Sequence, residues 1–550
     1  MKAMAKILCV TLAALLAASA AACGNGAASS QAPVSNQGAS GEKVTKYDPP
    51  ITMSWAAVTS AVQQFKDGDT YENNIWSRKY LDELGIQLEV AFAADGSTGA
   101  YNDKLNMQLA AGDLPDIVHT YQYELFKQAY DAGYAADITD VYANYASDYL
   151  LECQKKYPDS FAYTSFDGRL HGISFFNNND AGSIVLWIRD DWLEKSGKSA
   201  PKTMEELYEL AKWFTFNDPD GNGKDDTYGL GLNKNLTVDQ ATIFGLIGGF
   251  GVPGDDIYYR GANGKLTYTY LEPGMKDALG FLHRLYADGI LDPEFTVKDS
   301  PEIEADIASG KLGMAFGRQW GTWLPWNLAL QNEDVVSHAY PIPAAEGYQP
   351  KLGLANNAGG EIFFVNAKFP YPEAFILMSN VFSDTYNINM TPEVSAIYAD
   401  DEQYRFSPIV LNEPQEPVWG PILWDAMEKR DSSQLPARLL NHYTRVMAFE
   451  DGTDRGSEAY GLWGQYSIGG SVAICLDYVK NGMTISNIIG TKQPETRNEY
   501  RSILEDMTRQ MFTDIIRDGN TERFEDYKTS WLAAGGQEIL DELDSLYPAE

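Results

Sequence analysis

At 550 residues the chain is too long for one ordinary hydrophobic core, so two lobes or domains are expected. Its 77 acidic against 42 basic residues give a formal charge of −35, which argues against nucleic acid and against anionic ligands as general partners. Twelve Trp and 33 Tyr are a large stock of flat, amphipathic rings, which fill cores but also build sugar-binding surfaces.

The first residues read as an export signal. Lys2 and Lys6 supply a positive start, Ile7 to Leu16 an apolar run, and Ala20-Ala21-Ala22 the small residues before Cys23. Cys23 as first mature residue resembles a bacterial lipobox, with Ala20 where Leu is usual, and is the expected lipidation site; plain secretion after Ala22 is the alternative. Removing 1–22 takes two lysines and no acid, moving the charge from −35 to −37. Residues 23–47, rich at first in Ala, Ser, Gly, Asn and Gln, read as a flexible tether. No later run is long and apolar enough to span a membrane. Cys153 and Cys475 are far apart and read as two buried thiols, although an exported protein permits a disulfide.

Ile51 to Ala57 reads as a first strand, and Asn73 to Leu84 as a helix stopped by Gly85. Ile86 to Ala91 alternates as a strand. Tyr101 to Ala111 is a second helix, stopped by Gly112, and a turn at Asp113 to Asp116 leads into a third strand. This order predicts an α/β lobe with a largely parallel sheet. Next, the stretch from Phe166 to Leu193 pairs two short apolar runs, His171 to Phe176 and Ser183 to Ile188, around the polar loop Asn177 to Gly182. Three adjacent asparagines are costly in a core but suit a wet cleft between lobes; an exposed hairpin loop is the plain alternative.

The segments LDELGIQLEVAF and YNDKLNMQLAAGDLPDIVHT, followed in order by DGRLHGISFF, LWIRDDWLEKSGKSAPKTMEELYELAKWF, DPDGNGKDDTYGL, LYADGILDPEF, GKLGMAFGRQW and FFVNAKFPYPEA, resemble the extracellular solute-binding lipoproteins of bacterial ABC transporters. The likeness is to the large carbohydrate branch with the maltose-binding-type fold, and it covers nearly all of the mature chain. It implies a two-lobed periplasmic-binding-protein-like α/β fold, with hinge crossovers and a central ligand cleft. On that basis the N-lobe is 48–175 plus 358–430 and the C-lobe 176–357 plus 431–550. The first crossover lies in 166–193 and the return lies near Leu352 to Val365.

The sharpest chemical motif is Asp218 to Asp226, DPDGNGKDD. Asp218, Asp220, Asn222 and Asp226 fall at calcium-loop positions 1, 3, 5 and 9, with Gly223 at position 6 and the Lys224 carbonyl at position 7. Position 12 is Gly229 in place of the usual Glu, and the residue after Asp226 is Thr227. A structural Ca2+ is expected; a solvated Asp/Asn/Gly turn is the alternative. The second feature is RQWGTWLPW, placing Trp320, Trp323 and Trp326 after the strand-like run Leu312 to Phe316. Ligands in open α/β sheets bind at strand ends, so these rings are candidates for stacking on sugar, with one or two expected to cover core.

The resemblance also nominates Thr120 and Tyr121, after the third strand, together with Trp55 and Trp463. Asn178, Asn356 and Asn357 are candidates for hydroxyl recognition, since an amide both donates and accepts, with turn residues as the alternative. Enzyme signatures are missing: there is no HExxH, GxSxG, CxxC or P-loop. Gly249 to Gly254 satisfies GxGxxG, but Pro253 and Asp255-Asp256 do not open a dinucleotide-binding helix. The five His show no metal spacing.

The sequence therefore reads as a lipid-anchored, monomeric, non-enzymatic binding protein on the outer face of a bacterial cell membrane. It captures a carbohydrate, an oligosaccharide first of all, and delivers it to an ABC permease. A glycan-active enzyme with two carboxylates, or a peptide receptor of the same fold, is the alternative.

Overall fold

The computed structural model describes residues 43–549 except 60–64, 67, 97–98, 175–182, 262, 334, 355–359, 413–415 and 491–493. The expected export signal, Cys23, most of the tether, Asn178, Asn356 and Asn357 lie outside the described residues. The folded unit begins at Val44. Tyr47, expected in the tether, is instead buried in the first lobe, its N–H donating to Leu84 O at 2.8 Å.

In the first lobe, local signals set the elements. Asn74 caps the helix Ile75–Leu84: its Oδ1 accepts from the Trp76 and Ser77 N–H groups while Ser77 Oγ accepts from its own N–H. Gly85 ends the helix at φ 66°, and a Cβ there would lie 2.1 Å from Tyr47 O. The sheet order is Ile86–Asp95, Ile51–Thr59, Ile117–Thr120, Ile362–Val365, Ile173–Ser174. The first three strands run parallel, as expected; Ile362–Val365, returning from the second lobe, is antiparallel to both its neighbours. Alternation along Ile51–Thr59 puts Met53, Trp55 and Ala57 in one core layer and Ala56 in the other.

The second sheet has the order Ser337–Tyr340, Ile184–Arg189, Leu312–Arg318, Tyr228–Leu230. Every residue of Ile184–Arg189 is buried, as its unbroken apolar run requires of a strand covered on both faces. The chain thus leaves the first sheet after Ile173–Ser174 and enters the second at Ile184–Arg189; it returns between Leu352–Leu354 and Ile362–Val365. Trp187, Trp192, Phe214 and Phe316 anchor the second core, and Trp531 from the C-terminal helices stacks on Tyr268 at 4.7 Å. A separate helical layer, Glu416–Lys429, Ala437–Glu450 and Ser457–Tyr466, has its own core around Leu423, Val446, Phe449 and Tyr460. Cys153 and Cys475 form no disulfide and are buried in different cores, and burial pushes the Cys475 thiol up to about 12. Among the described residues no helix is long and apolar enough to cross a membrane.

Candidate functional site

A cavity of about 740 Å³ opens where the C-terminal end of Ile51–Thr59, the loop after Leu312–Arg318 and the helical layer meet. Its size is typical of small-ligand sites, roughly 300–1,000 Å³. From the first sheet come Trp55 and Tyr121; from the loop after Leu312–Arg318 come Trp320 and Trp323. Tyr386, Tyr404 and Tyr466 add further rings. Four of the expected ligand residues, Trp55, Tyr121, Trp320 and Trp323, therefore border one cavity.

Three others do not line it. Trp326 is fully buried in the second lobe's core, because the turn running from Gln319 carries its ring inward while Trp320 and Trp323 stay half-buried. Thr120 is fully buried, and its Oγ1 accepts from the Gln122 N–H at 3.0 Å, holding the turn that presents Tyr121. Trp463 packs on Phe449 and Tyr460 with its Nε1 donating to Glu450 Oε1 at 3.2 Å. On its helix the stripe Glu458, Leu462, Gln465 and Tyr466 faces the cavity, and position 463 points away from that stripe.

The Trp loop is riveted to that helix. Thr322 Oγ1 donates to Gly461 O at 3.1 Å, and Trp323 Nε1 donates to Gln465 Oε1. The Gln465 amide in turn donates to Gln319 Oε1, and Ser471 Oγ donates to Gln319 O at 2.5 Å. Leu324-Pro325 within the loop is a cis peptide.

The sequence alone did not single out the charged part of the wall. His119 Nε2 lies 3.1 Å from Glu361 Oε2, and the His119 ring stacks on Phe363 at 4.7 Å. Burial would raise the Glu361 carboxyl, but the adjacent His119, aided by Arg405 and Tyr121, holds it below the usual carboxylate range. Further round lie Arg438, Asn441 and His442, all on Ala437–Glu450. Their spacing of three and four residues was the one available signal, since it places them on one helical face.

The Asp218 to Asp226 loop lies apart from this cavity, after the helix Met204–Phe216. Asp218 Oδ1 and Oδ2 accept from the N–H groups of Asn222 and Gly223 at 3.1 and 3.0 Å. Asn222 Nδ2 bridges Asp220 Oδ2 at 2.6 Å and Asp226 Oδ1 at 3.0 Å. Burial and the nearby Asp218 and Asp226 carboxylates raise the Asp220 carboxyl. Thr227 is buried, donating to Phe214 O at 2.9 Å, so it ties the loop to the helix. Among the described residues no group of three or more His, Cys, Asp or Glu side chains is gathered as a formed metal site. The donor set is nevertheless all oxygen, the chemistry that suits a hard cation.

Residues 64–385, more than half of the chain, match the bacterial extracellular solute-binding protein family. The chain is 31% identical over 241 residues to the lipoprotein LipO of Bacillus subtilis, covering 43% of this chain and 45% of LipO. It is 29% identical over 274 residues to the polygalacturonan/rhamnogalacturonan-binding protein YtcQ of the same organism, covering 49% of this chain and 50% of YtcQ. The chain thus spans about half the length of the curated relatives it matches. In fold it is similar to the Streptococcus pneumoniae ABC-transporter substrate-binding protein FusA, solved as an EF-hand mutant with fructo-nystose: TM-score 0.63, 18% identity, 90% of this chain and 99% of that one. Two sheets between which the chain passes twice, a cavity beside them and the match over 64–385 together establish that the chain belongs to the bacterial extracellular solute-binding protein family.

Proposed function

We propose that this protein captures an oligosaccharide in the cavity between its lobes and hands it to an ABC importer, making and breaking no bond itself. The observation that carries this reading is the cavity lining: Tyr121, Trp320 and Trp323 offer ring faces for pyranose C–H surfaces, beside amide, imidazole and guanidinium groups suited to hydroxyls, while Trp55, 4% exposed in the first core, only borders the space. The half-length likeness to YtcQ, whose name gives pectic polysaccharides as its ligand, supports a carbohydrate. Binding that favours the closed arrangement of the lobes would present the loaded form to the permease. A non-catalytic role agrees with Glu361 being tied into the His119 pair and not left poised as a general acid.

The finer features are part of the same proposal. Cys23 is the lipid attachment point, holding a monomer at the outer membrane face; Asn178, Asn356 and Asn357 are proposed, on the sequence alone, to recognise ligand hydroxyls. Asp218, Asp220, Asn222, Asp226 and the Lys224 carbonyl would hold a Ca2+ ion that clips their loop. That the FusA structure is an EF-hand mutant supports looking for calcium here.

Calorimetric titration of the purified protein against a glycan panel, with chromatography of the same mixtures after incubation, tests the reading. Saturable binding of an oligosaccharide recovered intact is expected; cleavage of the glycan, or binding of peptides and no glycan, would sink it.

A further inference from the structure

Arg438, Asn441 and His442 share one face of Ala437–Glu450, and all three line the cavity. The Arg438 guanidinium donates to Asn387 Oδ1 at 3.0 Å and lies over the rings of Trp419 and Tyr386, at 4.9 and 5.1 Å from their centroids. Among the described residues no carboxylate lies within ion-pair distance of it, in a chain with 77 acids. Arg405, the other arginine of the wall, lies in the field of Glu361.

The two neighbours of Arg438 are unsatisfied. Asn441 is 3% exposed and His442 8%, and Asn441 Oδ1 and His442 Nδ1 are both buried without a hydrogen-bond partner. Burial above all, and then the Arg438 charge, pull the His442 imidazole down to about 3, so it is neutral. It is held edge-on by Trp419 and Tyr466, at 5.8 and 4.9 Å. A buried acceptor without a donor is costly, and the half-buried Arg438 guanidinium faces the cavity with one amide and two rings about it. A ligand bringing one anion and at least one hydroxyl would complete this face.

We propose that this face selects an acidic oligosaccharide, the Arg438 guanidinium pairing with a uronate carboxylate while Asn441 Oδ1 and His442 Nδ1 accept hydroxyl hydrogens. The inference rests on the carbohydrate reading of the cavity. A carboxylate matches the planar fork of guanidinium, and the Trp419 and Tyr386 rings hold that fork in place. His442 accepts when its proton sits on Nε2. The surface charge of −35 opposes long-range attraction of such a ligand; the contact is selective at short range, where the local cation outweighs distant, screened acids.

The test is calorimetry of the full chain with trigalacturonate, trimannuronate and triglucuronate, each against its carboxyl-reduced counterpart. At least one acid should bind about ten- to a hundred-fold more tightly than its reduced form. Arg438→Gln should abolish that preference and Arg438→Lys keep part of it. Asn441→Ala should weaken the acid and its reduced form alike. Melting curves check that each variant folds; should Arg438→Gln fail to, the wild-type ratio and Arg438→Lys decide. Equal or tighter binding of the reduced sugars, or a preference that survives Arg438→Gln, overturns the inference and leaves the carbohydrate reading standing. If no sugar binds, acidic or neutral, both fall.

Discussion

Lys298 in the second lobe and Arg438 on the cavity wall treat a positive charge in opposite ways. Lys298 Nζ lies 2.6 Å from Asp292 Oδ2, 2.8 Å from Asp306 Oδ2 and 2.7 Å from the Tyr228 hydroxyl. Burial alone would lower the ammonium; the two carboxylates hold it above its ordinary range. Arg438 has aromatic rings and one amide, and its neighbours carry unfilled acceptors. The Trp loop repeats the contrast within one turn of chain, with Trp326 enclosed and Trp323 half open. Lys298 has its charge answered within the chain, whereas among the described residues the Arg438 face lacks a carboxylate; unpartnered polar atoms alone do not mark a site, since Trp326 Nε1 and Trp531 Nε1 are unpartnered in the cores as well.

Several changes would break or sharpen this contrast. Lys298→Met, which leaves Asp292 and Asp306 facing each other while buried, should cost about 3–5 kcal/mol in denaturant unfolding. Trp326→Ala should cost about as much, 3–5 kcal/mol, with glycan affinity kept in whatever protein remains folded. A near-neutral result for either would mean the interior relaxes around the site. Trp323→Ala should do the reverse, costing roughly 1.5–3 kcal/mol of glycan binding, about tenfold or more in Kd, with little change in melting. Lost stability with unchanged Kd would move Trp323 to the packing side.

The next effect is graded by pH. His442 has its folded pKa depressed to about 3, below the ordinary 6.5 of the unfolded chain. Between those values the unfolded state holds the extra proton, so stability is full above about pH 6.5 and falls as pH drops toward 3. The slope from this group is at most about 1.4 kcal/mol per pH unit. His442→Gln should flatten the unfolding free energy between pH 6.5 and 5; an identical slope in the variant would show that His442 takes up its proton alike in the folded and unfolded chain. The smallest effect belongs to the Asp218 loop. A chelator should lower Tm by roughly 1–2 °C, and Asp218→Ala should remove the difference. A chelator-blind melt with no metal by elemental analysis would leave the loop as a hydrogen-bonded turn.

Much of the fold was legible because its signals are local. Asn74, Gly85 and Gly112 end helices by chemistry held within a few residues, and the run Ile184–Arg189 is apolar enough to require burial from both sides. The site was half legible. A Trp-rich loop at a strand's end could be read, but which ring turns outward depends on Gln465 and Gly461, about 140 residues away. The Glu361 partner of His119 is farther still in sequence. Arg438, Asn441 and His442 shared a helical face in the sequence too. Whether that face met core or cavity was settled only by how its helix packs between Glu416–Lys429 and Ser457–Tyr466. Lys43–Tyr47 failed for the opposite reason: a short polar run reads as linker, yet Tyr47 finds a slot beside Gly85.

Gly461 and Gly464 sit under the Trp loop, where a Cβ would lie 2.5 Å from the Trp323 ring and 2.2 Å from the Thr322 methyl. They touch the floor of the cavity from behind and line none of it. A single methyl added there would lift the aromatic floor without altering any group a ligand meets. The bore of the chamber is therefore adjustable separately from its chemistry. A substitution at 461 or 464 would thus reset the width of the chamber from a position that forms none of its surface.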